Sequence, residues 1–361
     1  GPPWQSIGQW DFNAEVGFVN TRFDGHTLQM GIQTVFEDHF DSTFEAIGQQ
    51  KQTFYDGSTY GYGVYIDDTV QLNERLKWVG GIRADHNTLV EKKWHFAGRT
   101  ALVYQAMDAW ITKLFYNRAV RMPSPLAALN EIWGAGKINA PTWAVGSPNA
   151  QRAELLQTTE WGNVFIGEQI RLSINLYYQD LQDFITWGAP HTNIGDYHGW
   201  GTEMTLSVAL DNRGLFWCNL AYIDSSFENN VNFDTVTNAG DAHRVSDPNK
   251  DMIGSPKLTI ASGFDLKLSE HTLFSTQLRY FTHQPAEVTD DGGTTFSFEQ
   301  VNNQFYLDAS VLFKGLWGEG RDLRLSAKNL FDNRDAVAGP TLSGQYAPRG
   351  VSLAVAVYFE F

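Results

Sequence analysis

The chain closes on "GVSLAVAVYFEF", residues Gly350–Phe361, and this stretch decides how the rest is read. Val351, Leu353, Val355, Val357, Phe359 and Phe361 fall on one side of an extended chain, and Ser352, Ala354, Ala356, Tyr358 and Glu360 on the other. Successive side chains of a strand point to opposite faces. One face is therefore wholly apolar and the other small or polar. A water-soluble domain turns such an apolar face onto its core, whereas a membrane wall turns it onto lipid. The choice depends on whether the pattern repeats and on how the repeats are joined.

It repeats along nearly the whole chain. Trp10, Phe12, Ala14, Val16 and Phe18 alternate with Asp11, Asn13, Glu15 and Gly17. Leu28, Met30, Ile32 and Phe36 do so with Gln29, Gly31, Gln33 and Glu37. The pattern returns from Arg171 to Gln179, from Thr202 to Leu210, from Lys257 to Leu268 and from Leu323 to Ser326. About fifteen such segments can be counted, near the ~10 residues of a membrane strand. Helical periodicity is scarce, and "PLAALNEIW" (Pro125–Trp133) is the one short helix the spacing predicts.

The connections separate the two architectures. Long ones fall near 333–349, 285–301, 228–256, 184–197, 121–151 and 41–58, with a shorter one near 88–94. Between them lie tight ones at Gly315–Gly320, Ser269–His271, Asp211–Gly214, Phe165–Gln169, Met107–Ala109, Asn73–Arg75 and Thr21–Gly25. Short turns on one side and long loops on the other are the outer-membrane pattern. A sandwich has no reason to keep that phase over so many strands. Trp78, Trp94, Trp110, Trp187 and Trp217, near segment ends, fit interfacial aromatic girdles. The expected fold class is thus all-β, a transmembrane antiparallel barrel covering residues 1–361.

Composition narrows the function. Lys and Arg number 26 against 41 Asp and Glu, a net charge of −15, which argues against a nucleic-acid partner. The single cysteine, Cys218, permits no internal disulfide and no cysteine metal cluster. No apolar run approaches the ~20 residues of a membrane helix. There is no nucleophile elbow, no HExxH and no phosphate loop, so no enzyme is expected. Asp67 and Asp68 are neighbours on a strand, so they face opposite sides and cannot act as a carboxylate pair. The first residue is Gly and no signal peptide is visible, so the chain is read as processed or partial.

Several stretches resemble TonB-dependent outer-membrane receptors. "GVYIDDTVQLNERLKWVGGIRAD" (Gly63–Asp85) is similar to that family's strand–turn–strand unit. "NRAVRMPSPLAALNE" (Asn117–Glu131) resembles its Arg-Ala-x-Arg-x-Pro-Ser segment. "GSPNAQRAELLQTTEWG" (Gly146–Gly162) resembles the segment that opens its next strand, with Pro148, Asn149 and Glu154 matching best. "YYQDLQDFI" (Tyr177–Ile185), "NLFDNR" (Asn329–Arg334) and the terminal strand also fit. The resemblance implies a barrel of about 22 strands around an N-terminal plug, of which the last fifteen or so are here and the plug is not. It implies import of a ligand such as a ferric siderophore through the bacterial outer membrane, powered by the TonB system through that plug. It implies no cofactor and, as partners, outer-membrane lipid and a small-molecule ligand such as a metal chelate. A companion chain or another segment is expected to supply the missing strands. The rival reading is a structural or assembly protein that keeps a receptor-like barrel without transport.

Ligand-binding residues are expected in the long loops. Trp133 and Trp143 lie among small residues in the loop 121–151, where aromatic rings suit a flat or chelated ligand. "HTNIGDYHGW" (His191–Trp200) and "NFDTVTNAGDAHRVSDPNKD" (Asn232–Asp251) concentrate His and Asp, including His191, His198 and His243. Contact with a ferric chelate is one reading of these and plain solvated loop residues the other. No resident metal site is expected.

Overall fold

A computed structural model of the protein describes residues 4–45, 52–88, 90, 92–123, 152–185, 193–229, 251–252, 254–289, 296–335, 337–338, 345–346 and 350–359. The strands are β1 (Trp4–Asn20), β2 (His26–Glu45), β3 (Gln52–Asn73), β4 (Leu76–Asn87), β5 (Trp94–Met107), β6 (Trp110–Arg121), β7 (Glu154–Ile166), β8 (Ile170–Ile185), β9 (Asn193–Ala209) and β10 (Gly214–Asn229). They continue as β11 (Leu258–Ser269), β12 (Thr272–Phe281), β13 (Gln284–Thr289), β14 (Phe296–Val301), β15 (Gln304–Phe313), β16 (Arg321–Lys328), β17 (Val337–Ala338), β18 (Gln345–Tyr346) and β19 (Ser352–Phe359). Fifteen of them form one sheet in chain order, β1 to β12 followed by β15, β16 and β19. Every neighbouring pair is antiparallel, as a chain of hairpins requires. The pairs β13–β14 and β17–β18 are separate small sheets. No helix occurs among the described residues.

The sheet has two unlike faces. Trp10, Phe12, Val16, Ile32, Ile82, Phe96, Leu114, Leu353 and Val355 are all more than half exposed. They sit on one face, because Val16 pairs with Ile32 across β1–β2 and Val355 with Leu325 across β16–β19. This is the apolar face that alternation places on lipid. The opposite, luminal face carries Glu15, Gln33, Tyr65, Asp67, Arg83, Asp85 and Arg99, which bond to one another. Asp67 and Asp68 do part company, Asp67 meeting Arg99 and Asp68 meeting His26.

This asymmetry is testable. Leu102, outward near the middle of β5 and 42% exposed, is expected to lose about 2–4 kcal/mol on replacement by Arg. The same change at the luminal neighbour Val103 should cost far less. Urea unfolding of the full-length protein in lipid vesicles measures both.

Aromatic side chains gather toward the two ends of the apolar belt. Near the short turns lie Trp110, Phe165 and the pair Phe216–Phe264, whose rings are 4.9 Å apart. Toward the long loops lie Phe36–Tyr60, Tyr62 with His86 and Trp94, Trp200–Tyr222, and Phe305 with Phe331. Trp94 and Trp110 belong to these girdles, and outward Trp78 donates to Thr100 at 2.9 Å. Trp217 does not belong, because its register partner Gly263 is luminal, next to outward Phe264. Its ring lies over Gly263 inside the wall. Trp187 and the helix expected over Pro125–Trp133 lie outside the described residues.

The short turns fall where the alternation places them, and the long connections are shorter than it suggests. The segment 41–58 is mostly strand, since β2 reaches Glu45 and β3 starts at Gln52. β9 already begins at Asn193, inside the stretch 184–197. The connections near 285–301 and 333–349 carry the β13–β14 and β17–β18 pairs. β2 and β3, of 20 and 22 residues, exceed the ~9–11 that cross a bilayer. Their upper parts therefore stand in water, where neither face needs to be apolar.

The two edges of the sheet are β1 and β19, and no ladder joins them among the described residues. Both run from the long-loop side to the short-turn side. β1 enters the turn before His26, and Phe359 pairs with Arg321, which follows the turn after Phe313.

Candidate functional site in the luminal wall

The luminal side of β1–β6 holds an extended polar network. Gly31 faces Tyr65 across β2–β3, and a Cβ there would stand 2.5 Å from the phenol oxygen. Without that Cβ the ring lies flat across β2 and reaches β1, where its hydroxyl donates to Glu15 at 2.6 Å. Arg83 on β4 donates through Nε to both carboxylate oxygens of Asp85, at 2.9 and 2.8 Å, and through Nη2 to Gln33 at 2.7 Å. Its guanidinium lies 5.9 Å from the Tyr65 ring centre. Arg99 on β5 meets Asp67 at 3.0 Å. Two recesses, each of about 470 Å³, open beside this network. One is lined by Glu37, Thr59, Arg83 and Asn87 toward the long-loop end, the other by Glu15, Tyr65, Asp67 and Arg99 below it. Both signs of charge are presented, each fixed by a bonded partner, so the wall suits a polar occupant with donors and acceptors of its own.

A second cluster lies at the long-loop rim of β6–β9. Arg121 forms an ion pair with Glu154 across β6–β7, and Glu154 is only 4% exposed. Glu154 also accepts the Ile185 amide at 2.6 Å. Arg152 binds Asp183 at 2.6 Å. The Asn193 side chain accepts from the Arg152 amide and donates to the Arg152 and Asp183 carbonyls. Asp183 sits in a bulge of β8 with φ at 59°, its amide bonded to Asp196 at 2.8 Å. Burial pushes its carboxyl above the ordinary range, and Arg152 opposes that shift. Arg121 and Glu154 come from the two motifs flanking residues 124–150, so the cluster clamps both ends of that connection.

Of the residues expected to bind ligand, His198 alone is described, and it is not in a loop. It lies in β9 on the same outward face as Trp200, with Nδ1 3.2 Å from Asp180 of β8. Trp133, Trp143, His191 and His243 lie outside the described residues. Among the described residues no three His, Cys, Asp or Glu side chains are placed to share a metal ion. The luminal residues Tyr65, Arg83 and Arg99 escaped the sequence reading. Their signal was present in "GYGVY" and "VGGIRAD", where glycines sit on the luminal phase opposite large polar residues.

The "NLFDNR" stretch finds its explanation here too. Asn329, at φ 54°, accepts the Asn333 amide and donates to its carbonyl. Asp332 accepts from Arg334 at 2.9 Å and from the Val351 amide at 3.1 Å. These two donors hold its carboxyl below the ordinary range. The turn thereby ties the end of β16 to the start of the terminal strand.

Comparison with known proteins agrees with this architecture. The sequence matches the family described as TonB dependent receptor-like, beta-barrel, over residues 3–330. No curated protein matches it by sequence. Among solved structures it is similar to the siderophore receptor PirA from Acinetobacter baumannii, at 15% identity and a TM-score of 0.69, covering 98% of this chain and 55% of that one. It is similar to the FrpB iron transporter from Neisseria meningitidis, at 13% identity and a TM-score of 0.68, covering 99% and 56%. It is also similar to the copper transporter OprC, at 16% identity and a TM-score of 0.66, covering 100% and 58%. The chain thus spans a little over half the length of these neighbours. Proteins with this barrel are outer-membrane transport receptors of Gram-negative bacteria rather than enzymes. From a match over residues 3–330 and a 15-stranded antiparallel wall, this chain belongs to the TonB-dependent receptor β-barrel family.

Proposed function

We propose that this chain is the greater part of the barrel of an outer-membrane receptor that imports a metal chelate, a ferric siderophore first of all. TonB would drive it through a plug domain carried outside these 361 residues. The observation that carries the reading is the luminal wall, where Glu15, Tyr65, Asp67, Arg83 and Arg99 are held in fixed bonds behind an apolar outer belt. The likeness to a siderophore receptor and an iron transporter supports iron as cargo, and the likeness to a copper transporter supports a metal more broadly. The test is growth of an iron-starved Gram-negative host, lacking its own receptors, that expresses the full-length gene. Growth on at least one ferric siderophore, lost when TonB is deleted, is the expected result. Failure on a panel of ferric and copper chelates, with no binding by the purified protein, would overturn it.

The same proposal holds that residues 1–361 are all barrel and that further strands lie between β19 and β1. Both edges run in the same direction, so direct pairing would be parallel, whereas every other pair is antiparallel. An odd number of intervening strands restores the alternation. Seven would complete a barrel of about 22. In a Cys218→Ser background, cysteines at Val16 and Val355 should not form a disulfide in the assembled protein. Rapid formation of that bridge would mean that the two edges touch.

A further inference from the structure

We infer that the upper recess of the luminal wall selects a metal chelate of zero or positive net charge, of the hydroxamate type, and turns away chelates that carry several negative charges. The inference rests on the chelate reading above and adds to it the charge of the cargo. A ferric ion bound by three hydroxamates is neutral, whereas one bound by three catecholates carries three negative charges. The recess, of about 470 Å³, has the size of a small-molecule pocket. Its charged lining is Arg83 against Glu37 and Asp85, one carboxylate in excess. Val35, Met122 and Pro123 add an apolar part, which suits a body without charge to solvate. An anion that leaves water for such a place needs a cation free to meet it.

Arg83 is not free. Its Nε is shared between both Asp85 oxygens, and its Nη2 donates to Gln33 at 2.7 Å. Glu37 accepts from the Thr59 hydroxyl at 3.2 Å and meets no cation among the described residues. Four more guanidiniums of the wall and rim are engaged as Arg83 is: Arg99 with Asp67, Arg121 with Glu154, Arg152 with Asp183 and Arg279 with Asp308. Lys92 and Lys93 are exposed to water in the β4–β5 link and line neither recess. The long connections bring no surplus of cations either. Residues 124–151 hold Lys137 with Glu131, and residues 230–250 hold Arg244 and Lys250 with Asp234, Asp241 and Asp247. The whole chain carries a net charge of −15, so a polyanion meets repulsion on approach as well as in the recess.

The test is isothermal titration of the detergent-solubilised full-length protein with one linear ferric trihydroxamate in three forms and with a ferric tricatecholate. The terminal amine of the trihydroxamate is left free, acetylated or succinylated, which gives one positive charge, none or one negative charge on the same metal core. The free and acetylated forms should bind best. The acetylated form should bind roughly tenfold more tightly than the succinylated one, and roughly a hundredfold more tightly than the tricatecholate. Glu37→Gln should close most of the gap between the acetylated and succinylated forms. Asp265→Asn, luminal at the short-turn end of β11, should leave that gap as it is. Heat-modifiable migration on gels confirms that both variants fold, and the wild-type series stands without either. Equal or tighter binding of the tricatecholate by the wild type would overturn the inference and leave chelate import intact. Binding of none of the four chelates would overturn both. A gap that Glu37→Gln leaves unchanged, or that Asp265→Asn closes equally, would take the selection away from this recess.

Discussion

Replacing Arg121 by alanine is expected to loosen the long-loop rim of the barrel and to cost about 2–3 kcal/mol. Glu154 is nearly inaccessible, and its two charge-stabilising contacts are the Arg121 guanidinium and the Ile185 amide. Taking the arginine away leaves a buried carboxylate with one amide donor. The cost falls somewhat below the ~3–5 kcal/mol of a fully buried broken pair because the Arg121 side chain is itself 52% exposed. Adding Glu154→Gln to Arg121→Ala should recover most of the loss, because the amide oxygen still accepts from Ile185 and carries no charge. The measurement is urea unfolding of the full-length protein in vesicles, with all four members of the cycle compared. A double variant no more stable than Arg121→Ala would mean that the pair acts through packing rather than charge.

The second large effect is expected at Gly263, in the middle of β11. A Cβ there would fall against the Thr276 carbonyl oxygen of β12 and within 2.8–2.9 Å of the Trp217 ring. The ring can turn away, but the carbonyl belongs to the ladder and cannot. Gly263→Ala is therefore expected to cost about 3 kcal/mol, at the top of the range for overpacking. Combining it with Trp217→Ala should recover only the part due to the ring. Gly31→Ala makes the contrast, because the obstacle there is the far end of Tyr65 alone. It should cost less and show itself as a freed Glu15 carboxylate. Thermal unfolding followed by gel mobility ranks the three.

The barrel wall was legible because lipid imposes a strict rule on one face. From Trp10 to Phe18, or from Val351 to Phe359, every second residue must be apolar, and the period shows through any luminal sequence. Where that rule lapses the reading lapses too. The upper parts of β2 and β3, "DHFDSTFE" and "QTFYDGS", lie beyond the ~9–11 residues that cross a bilayer, so no lipid rule makes them alternate and they read as loop. Trp217 was ambiguous because Phe216 stands beside it, and only the register with Phe264 shows which of the two faces lipid. His198 read as a loop histidine for the same reason as the upper strands. The motif residues Arg121 and Glu154 were visible one by one, but 33 positions separate them and nothing in the spacing says that they pair. The luminal network was hidden because it is built across three strands from Glu15, Gly31 and Tyr65, each ordinary in its own segment.

The rings lying on glycines also determine the interior relief of the barrel. Tyr65 over Gly31, Tyr177 over Gly201, Tyr197 over Gly199 and Trp217 over Gly263 are pressed against the backbone instead of standing inward. Each then takes up only the ~3.5 Å thickness of one van der Waals layer. At these four places the lumen is papered rather than bristled. A body filling it would meet a flat ring face there instead of a projecting side chain, so less interdigitation would have to be undone for it to shift along the wall.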